Sequence, residues 1–179
     1  MSILNQNISR GLYLKGAMVE LRSFTDENLT VGYLGWLHDP LLMRFSNQRF
    51  RNHSMRSCRA YLNSFIGTDN LFIAIYFENS FIGTMTAYRL ATHGTADIGL
   101  LISAGFQGKG LGKDAWATLM NYLLATGTRK VTGGTLSCNT AMVKIMQKCE
   151  MQADGVRISH ELVEGLPHDM LHFAKFAPK

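Results

Sequence analysis

The spacing of apolar residues divides the chain into short segments of two kinds. Met18-Val-Glu-Leu-Arg-Ser-Phe24 alternates apolar and polar positions and predicts a first strand. Thr25 opens Thr-Asp-Glu-Asn, whose acidic residues suit the first turn of a helix expected to run to about Leu37. Asp39-Pro40 should stop it, because proline disfavours helical geometry in the residue before it. A short helical turn is expected around Leu41–Phe45. Ser54 then caps a helix that places Cys58, Tyr61, Leu62 and Phe65 on one face. Leu71–Phe77, Phe81–Leu90 and Ala96–Ile102 read as three consecutive strands of a meander, separated by Glu78-Asn79-Ser80 and by His93-Gly94. Gly110–Ala125 predicts a helix with Leu111, Ala115, Leu119 and Leu123 in one row, flanked by Trp116 and Met120. Lys130–Leu136 is the next strand. Asn139 caps a helix that buries Met142, Ile145, Met146 and Cys149. Two last strands, about Gln152–Val163 and His168–Phe176, are split by Gly165-Leu-Pro167. The order β-α-α-β-β-β-α-β-α-β-β predicts an α/β (α+β) fold: a mixed central sheet flanked by helices on both faces.

Length fits one domain: 179 residues, with the domain expected over 18–179 and residues 1–17 as an N-terminal extension without assigned structure. With 46% hydrophobic and 17% charged residues, the chain is globular in composition and not disordered. No apolar run approaches the ~20 residues of a membrane span, and Met1–Lys15 lacks the pattern of a signal peptide. Three widely spaced cysteines, Cys58, Cys138 and Cys149, suggest neither a disulfide framework nor a zinc site, so a cytoplasmic protein is expected. The net charge is +5, and Arg44, Arg49, Arg51, Arg56 and Arg59 make one stretch locally basic. That stretch reads as a solvated face, an anion-binding wall or a nucleic-acid surface; sparse aromatic interleaving disfavours the last.

Residues 106–113, Phe-Gln-Gly-Lys-Gly-Leu-Gly-Lys, form a Gln107-x-x-Gly110-x-Gly112 turn between an apolar strand and an amphipathic helix. Glycines let main-chain N–H groups face a ligand, and the helix dipole adds positive potential there, which suits a phosphate or pyrophosphate. Asp114 follows Gly112-Lys113, so the Gly-Lys-[Ser/Thr] ending of a P-loop is missing. Three strands precede the loop, unlike a Rossmann unit.

Leu100-Leu-Ile-Ser-Ala-Gly-Phe-Gln-Gly-Lys-Gly-Leu-Gly112 resembles the strand and [Arg/Gln]-x-x-Gly-x-[Gly/Ala] loop of the GNAT superfamily of acetyl-CoA-dependent N-acetyltransferases. Asn139, opening a helix one strand later, is similar to the family's Asn-x-x-[Ser/Ala] element. Tyr33-Leu-Gly-Trp-Leu-His-Asp-Pro40 looks like the opening segment of the branch that acetylates ribosomal-protein N-termini and bacterial surface-polysaccharide amino sugars. The resemblance covers Met18 to the C-terminus and implies a GNAT-like, mostly antiparallel sheet. It further implies that the strands ending at Ile102 and near Ser137 splay into a slot for acetyl-CoA, with no metal. Leu100 and Ile102 would offer backbone groups to the pantetheine and thioester. Amides from Gln107 through Gly108, Lys109, Gly110 and Leu111 to Gly112 would hold the pyrophosphate, Lys109 and Lys113 would add charge, and Asn139 would contact the pantetheine.

The chemistry needs a neutral amine beside a polarised thioester, and placing the two together supplies much of the rate. Asp97, near the start of the strand leading into the slot, is the candidate base; its bland alternative is a turn aspartate after Gly94-Thr95. Met146 stands where family members place a proton-donating tyrosine, and Glu150-Met151 replaces a Gly-Phe pair. Cys138 is a possible thiol donor or a packing residue. His168 and His172 share a strand face without ligand geometry, so no metal site is expected. His38, His53, Trp36, Phe45 and Arg49 are candidates for contact with an acceptor, and each also reads as surface or core. The resulting expectation is an enzyme, monomeric or homodimeric, moving acetyl from acetyl-CoA directly to a small-molecule primary amine, with a nucleotide-linked amino sugar for surface polysaccharide as leading acceptor. A protein N-terminus, a small amine, or a non-catalytic acyl-CoA-binding domain are the alternatives; membrane and nucleic-acid partners are not expected.

Overall fold

Alternate residues of Leu71–Phe77 enter different cores: Ile73 and Ile75 join one apolar cluster, Phe72 and Ala74 another. The sheet is therefore covered on both faces. The computed structural model describes residues 11–178. Its strands are β1 (Tyr13–Lys15), β2 (Glu20–Ser23), β3 (Leu71–Phe77), β4 (Ser80–Leu90), β5 (Thr95–Ile102), β6 (Lys130–Leu136), β7 (Gln152–Val163) and β8 (Leu166–Phe176). The helices are α1 (Val31–His38), α2 (Pro40–Met43), α3 (Met55–Asn63), α4 (Leu111–Ala125) and α5 (Thr140–Lys148). The strands form one sheet in the order β1-β2-β3-β4-β5-β6-β8-β7. Every neighbouring pair is antiparallel except β5 and β6.

Helix α4 buries Leu111, Ala115, Trp116, Leu119, Met120 and Leu123 against the larger core, the row expected from its sequence. Gly133 of β6 makes room for Trp116: a Cβ there would lie 2.7 Å from two ring carbons. On the other face, α1 and α3 contribute Tyr33, Trp36, Cys58, Tyr61 and Leu62 to an aromatic cluster in which Phe24 stacks on Phe72 at 4.1 Å.

Four local expectations change. Thr25 starts only a 3-10 turn, Asp26–Asn28, because the buried Asn28 side chain is committed elsewhere: it accepts the Thr25 N–H at 2.9 Å and donates to the Tyr76 hydroxyl at 2.7 Å. The helix proper begins after Thr30, whose hydroxyl oxygen accepts the Tyr33 N–H at 3.1 Å. The first expected strand is shorter and gains a neighbour, since β1 pairs with it from Tyr13 to Lys15. The turn expected around Leu41–Phe45 is α2 itself, followed by a separate 3-10 turn at Asn47–Phe50. The last hairpin turns at Glu164-Gly165, both at positive φ, so β8 already includes Pro167 opposite Leu162. Pro167 is tolerated there because β6 reaches β8 only from Met170 onward.

Asp114, in the first turn of α4, ties the β1–β2 connection to the helix. Its carboxylate accepts the backbone N–H groups of Ala17, Met18 and Val19 at 3.0, 2.7 and 2.9 Å. Asp114→Ala removes the acceptor of three amides at once, and a stability loss of about 1–3 kcal/mol is expected in urea denaturation.

Candidate active site

The parallel ladder between β5 and β6 is short. Thr95 pairs with Lys130, Ala96 with Val131 and Asp97 with Thr132, and pairing then stops. β5 continues to Ile102 against β4, and β6 continues to Leu136 against β8. The two strands therefore part, and the backbone groups of residues 98–102 that face β6 have no strand partner. A cavity of about 1080 Å³ opens over this gap. That exceeds the ~300–1,000 Å³ of a typical small-molecule site and gives room for two reactants.

At one end lies the glycine loop. Gly108 and Gly110 have φ of +74° and +81°, which only glycine adopts without strain. The chain then enters α4 through Gly110, and the first helical bond runs from Asp114 N–H to Gly110 O at 3.1 Å. None of the N–H groups from Gly108 to Lys113 meets an acceptor among the described residues. Six consecutive free donors at a helix mouth fit a diphosphate. The Gln107 side chain is occupied otherwise, donating to Ile102 O at 2.9 Å and fixing the strand end. Asn139 caps α5 by accepting the Met142 N–H at 3.3 Å, which leaves its own NH₂ group to donate.

Of the residues singled out by sequence, Leu100, Ile102, Gln107, Gly108, Gly110, Gly112, Lys113 and Asn139 line this cavity. Ile102 does so with its carbonyl already taken by Gln107. Leu111 is buried in the core and offers only its amide. Lys109 lies outside the lining, its ammonium 5.2 Å from the Phe106 ring centroid.

The acceptor-side expectations fare differently. Trp36 belongs to the aromatic core, 4.9 Å from Phe81, and does not line the cavity, whereas Phe45 does. His38 stands behind the wall and donates to the His53 carbonyl at 3.0 Å; His53 is the lining residue. Arg49 is also outside, donating to Ser46 O and Leu162 O at 3.0 and 3.1 Å and standing 3.8 Å from Glu161. Of the five clustered arginines, only Arg51 lines the cavity; Arg44 covers the Phe45 ring and Arg59 pairs with Asp26. Met146 is fully buried and supplies no proton donor.

Asp97 is outside the lining too, at the closed apex of the gap, where it accepts the Thr132 hydroxyl at 2.7 Å. The residue presents part of its surface to solvent, yet surrounding protein desolvates the carboxyl and raises its pKa, against the opposing pulls of Thr132 and the charge of His172. The carboxylate that does line the cavity is Glu161, from β7. Asn47 donates to it at 3.0 Å and Arg49 flanks it, so the 46–50 segment clamps the β7 arm over the site. Tyr61 also lines the cavity, its hydroxyl 2.6 Å from that of Tyr88, and burial raises its pKa. Sequence reading missed Glu161 because a lone acid in an exposed strand carries no local signal.

Among the described residues, no group of three or more His, Cys, Asp or Glu is placed to hold a metal, and no helix is long and apolar enough to cross a membrane. Cys58 and Cys149 are buried, Cys138 half-buried, and all three are free thiols.

A mixed sheet parted at one parallel pair, with a bare helix mouth at the gap, fits a diphosphate-bearing donor beside a second reactant. The family model described as an acetyltransferase (GNAT) domain matches residues 19–152, and the chain belongs to that family of acetyl-CoA-dependent acyltransferases. A comparison with curated protein sequences finds no match. Solved structures share the fold at low identity. A spermidine N-acetyltransferase from Vibrio cholerae, in complex with CoA and spermine, is 15% identical with a TM-score of 0.80, over 90% of this chain and 96% of that one. RimL, a ribosomal L7/L12 alpha-N-protein acetyltransferase in complex with coenzyme A, is 17% identical with a TM-score of 0.78, over 92% and 98%. A GNAT-family acetyltransferase from Bacillus anthracis is 16% identical with a TM-score of 0.77, over 94% and 100%.

Gly110→Val forces a β-branched residue to positive φ, at a cost of about 1–2 kcal/mol. It also places a side chain at the helix mouth, so acetyl-CoA affinity measured by calorimetry should fall at least about tenfold, a loss of ~1.4 kcal/mol. Asp97 gives a separate expectation. Its raised pKa means that the folded state disfavours the charged carboxylate, so its contribution is most favourable below the ordinary aspartate value of about 4 and is lost as pH rises through the folded value. Asp97→Asn should therefore gain stability relative to the natural protein between acid and neutral pH, as read by denaturation at each pH.

Proposed function

We propose that the protein is an N-acetyltransferase that brings acetyl-CoA and a primary amine together in one cavity and transfers acetyl directly between them. The observation that carries this reading is the row of free amides from Gly108 to Lys113, of whose residues Gly108, Gly110, Gly112 and Lys113 line the same cavity as Glu161. The amides hold the pyrophosphate, with Leu100 and the Asn139 side chain along the pantetheine arm. Bound acetyl-CoA supplies the activated acetyl thioester. Glu161, held by Asn47 and Arg49, receives the proton that the amine must lose to become a nucleophile; the amine then forms the amide bond as the thioester C–S bond breaks, and the thiolate leaves as CoA, taking a proton from water. Leu37, Leu42 and Phe45 add apolar lining that excludes water from the same cavity.

Arg51 points to an acceptor that carries an acidic group, in keeping with a nucleotide-linked amino sugar for surface polysaccharide. A protein N-terminus is the second reading, favoured by the RimL neighbours named for that activity. The acyltransferase unit expected over residues 18–179 is extended to include β1, which pairs with β2 at the sheet edge, and the unpaired cysteines support a cytoplasmic location.

The test is thiol release from acetyl-CoA in the presence of a UDP-linked amino sugar, a peptide with a free N-terminus, and spermidine. Amine-dependent release is expected, and CoA binding without release on any amine would establish a binding domain instead. Glu161→Gln should lower kcat by about 10²–10⁴-fold at neutral pH. Asp97→Asn should leave kcat near its starting value; the opposite pattern would return the base to Asp97.

A further inference from the structure

We propose that His53 is a second proton acceptor in the acyl transfer, its Nδ1 taking the proton that the acceptor nitrogen sheds as the amide forms. The proposal rests on the acetyltransferase reading above and deepens it.

The need follows from the protons on the acceptor. In neutral water a primary amine arrives as an ammonium, with three protons on nitrogen, and the amide product keeps one. Glu161 takes the first, which frees the lone pair to attack the thioester carbonyl carbon. The C–N bond forms, the C–S bond breaks, and its electron pair leaves on sulfur, which takes a proton from water. The nitrogen then holds one proton too many, and Glu161 is already protonated.

His53 lines the cavity. Its Nε2 lies 3.0 Å from the Gln48 carbonyl oxygen, which accepts and cannot donate, so Nε2 carries the hydrogen. In the neutral ring Nδ1 then bears the lone pair. Nδ1 meets no partner among the described residues, where His172 Nε2 alone is both buried and unpartnered. It is therefore open to the space beside the half-buried ring. Once Nδ1 is protonated, the bond from Nε2 to Gln48 O becomes charge-assisted, and the ring keeps its place.

Glu161 and His53 are held by consecutive residues of one 3-10 turn, Asn47–Phe50. The Asn47 side chain donates to Glu161 at 3.0 Å, and the next residue, Gln48, receives His53. His38 fixes the His53 backbone by donating to its carbonyl at 3.0 Å. The other titratable lining groups are unsuited to the task. Burial raises the pKa of Tyr33, Cys58 and Tyr61, which keep their protons. Arg51 and the lining lysines are donors without an acceptor atom.

His53→Gln separates the two ring nitrogens. The glutamine amide nitrogen can still donate to Gln48 O, but no basic atom replaces Nδ1. With whichever of a UDP-linked amino sugar, a free N-terminal peptide and spermidine supports thiol release, kcat should fall about 10²-fold. KM for the amine and calorimetric affinity for CoA should stay within about twofold. His53→Ala should show the same loss in kcat, and added imidazole should restore its turnover. An unchanged kcat in His53→Gln would overturn the assignment and leave the acetyltransferase reading standing. A raised amine KM at constant kcat would overturn it too, making His53 a binding residue. Loss in both variants without recovery in imidazole would mark a structural role and overturn it likewise. Absence of amine-dependent thiol release from the unaltered protein would remove the acetyltransferase reading and the second acceptor together.

Discussion

Past Asp97 and Thr132 the ladder between β5 and β6 ends, and the site exists because of that ending. Buried main-chain polar groups require partners, so two strands leave each other inside a sheet only when their other edges are secured. β4 pairs with β5 along its whole length, from Thr95 to Ile102, and β8 pairs with β6 from Lys130 to Leu136. Behind the gap, Trp116 fills the space at Gly133, so the parted strands rest on a packed helix. The opening is thus held by complete pairing on both outer sides and close packing beneath.

That geometry orders the charges around it. The helix mouth gives one end a positive character, Lys113, Lys144 and Lys148 add charge to the lining, and Glu161 stands among the lining residues at the β7 arm. Aliphatic and aromatic side chains from α1 and α2 through Phe45 wall the space. The cavity therefore has a direction, set by elements far apart in sequence: the bond from Asn47 to Glu161 spans 114 positions.

This range explains how much could be read from the residues alone. Strands β3 and β6 were legible to the residue because their apolar runs are bounded by turn chemistry. The glycine loop was legible because a positive-φ turn opening a helix has a short local pattern. Asn28 defeated the reading of α1, since its partner Tyr76 is on a strand that arrives later in the chain. Trp36 and Arg49 were misplaced for a similar reason: an aromatic or a cation in the right segment says nothing of which way its side chain points. Of the five arginines dense in sequence, Arg44 lies on Phe45, Arg49 stands by Glu161, Arg59 pairs with Asp26 and Arg51 lines the cavity. Strand β1 carries too few residues for its alternation to register.

The grip of Asp114 on Ala17, Met18 and Val19 has a consequence for the glycine loop, which begins only a few residues before it. Met18 Cε lies 3.5 Å from where a Cβ on Gly110 would be, so the strap and the loop touch. A segment of several glycines left to itself would sample many shapes, and each capture of a ligand would have to select one. Here the entropy of that selection is settled when the chain folds, so a donor held by the loop as proposed would meet a preorganised cradle.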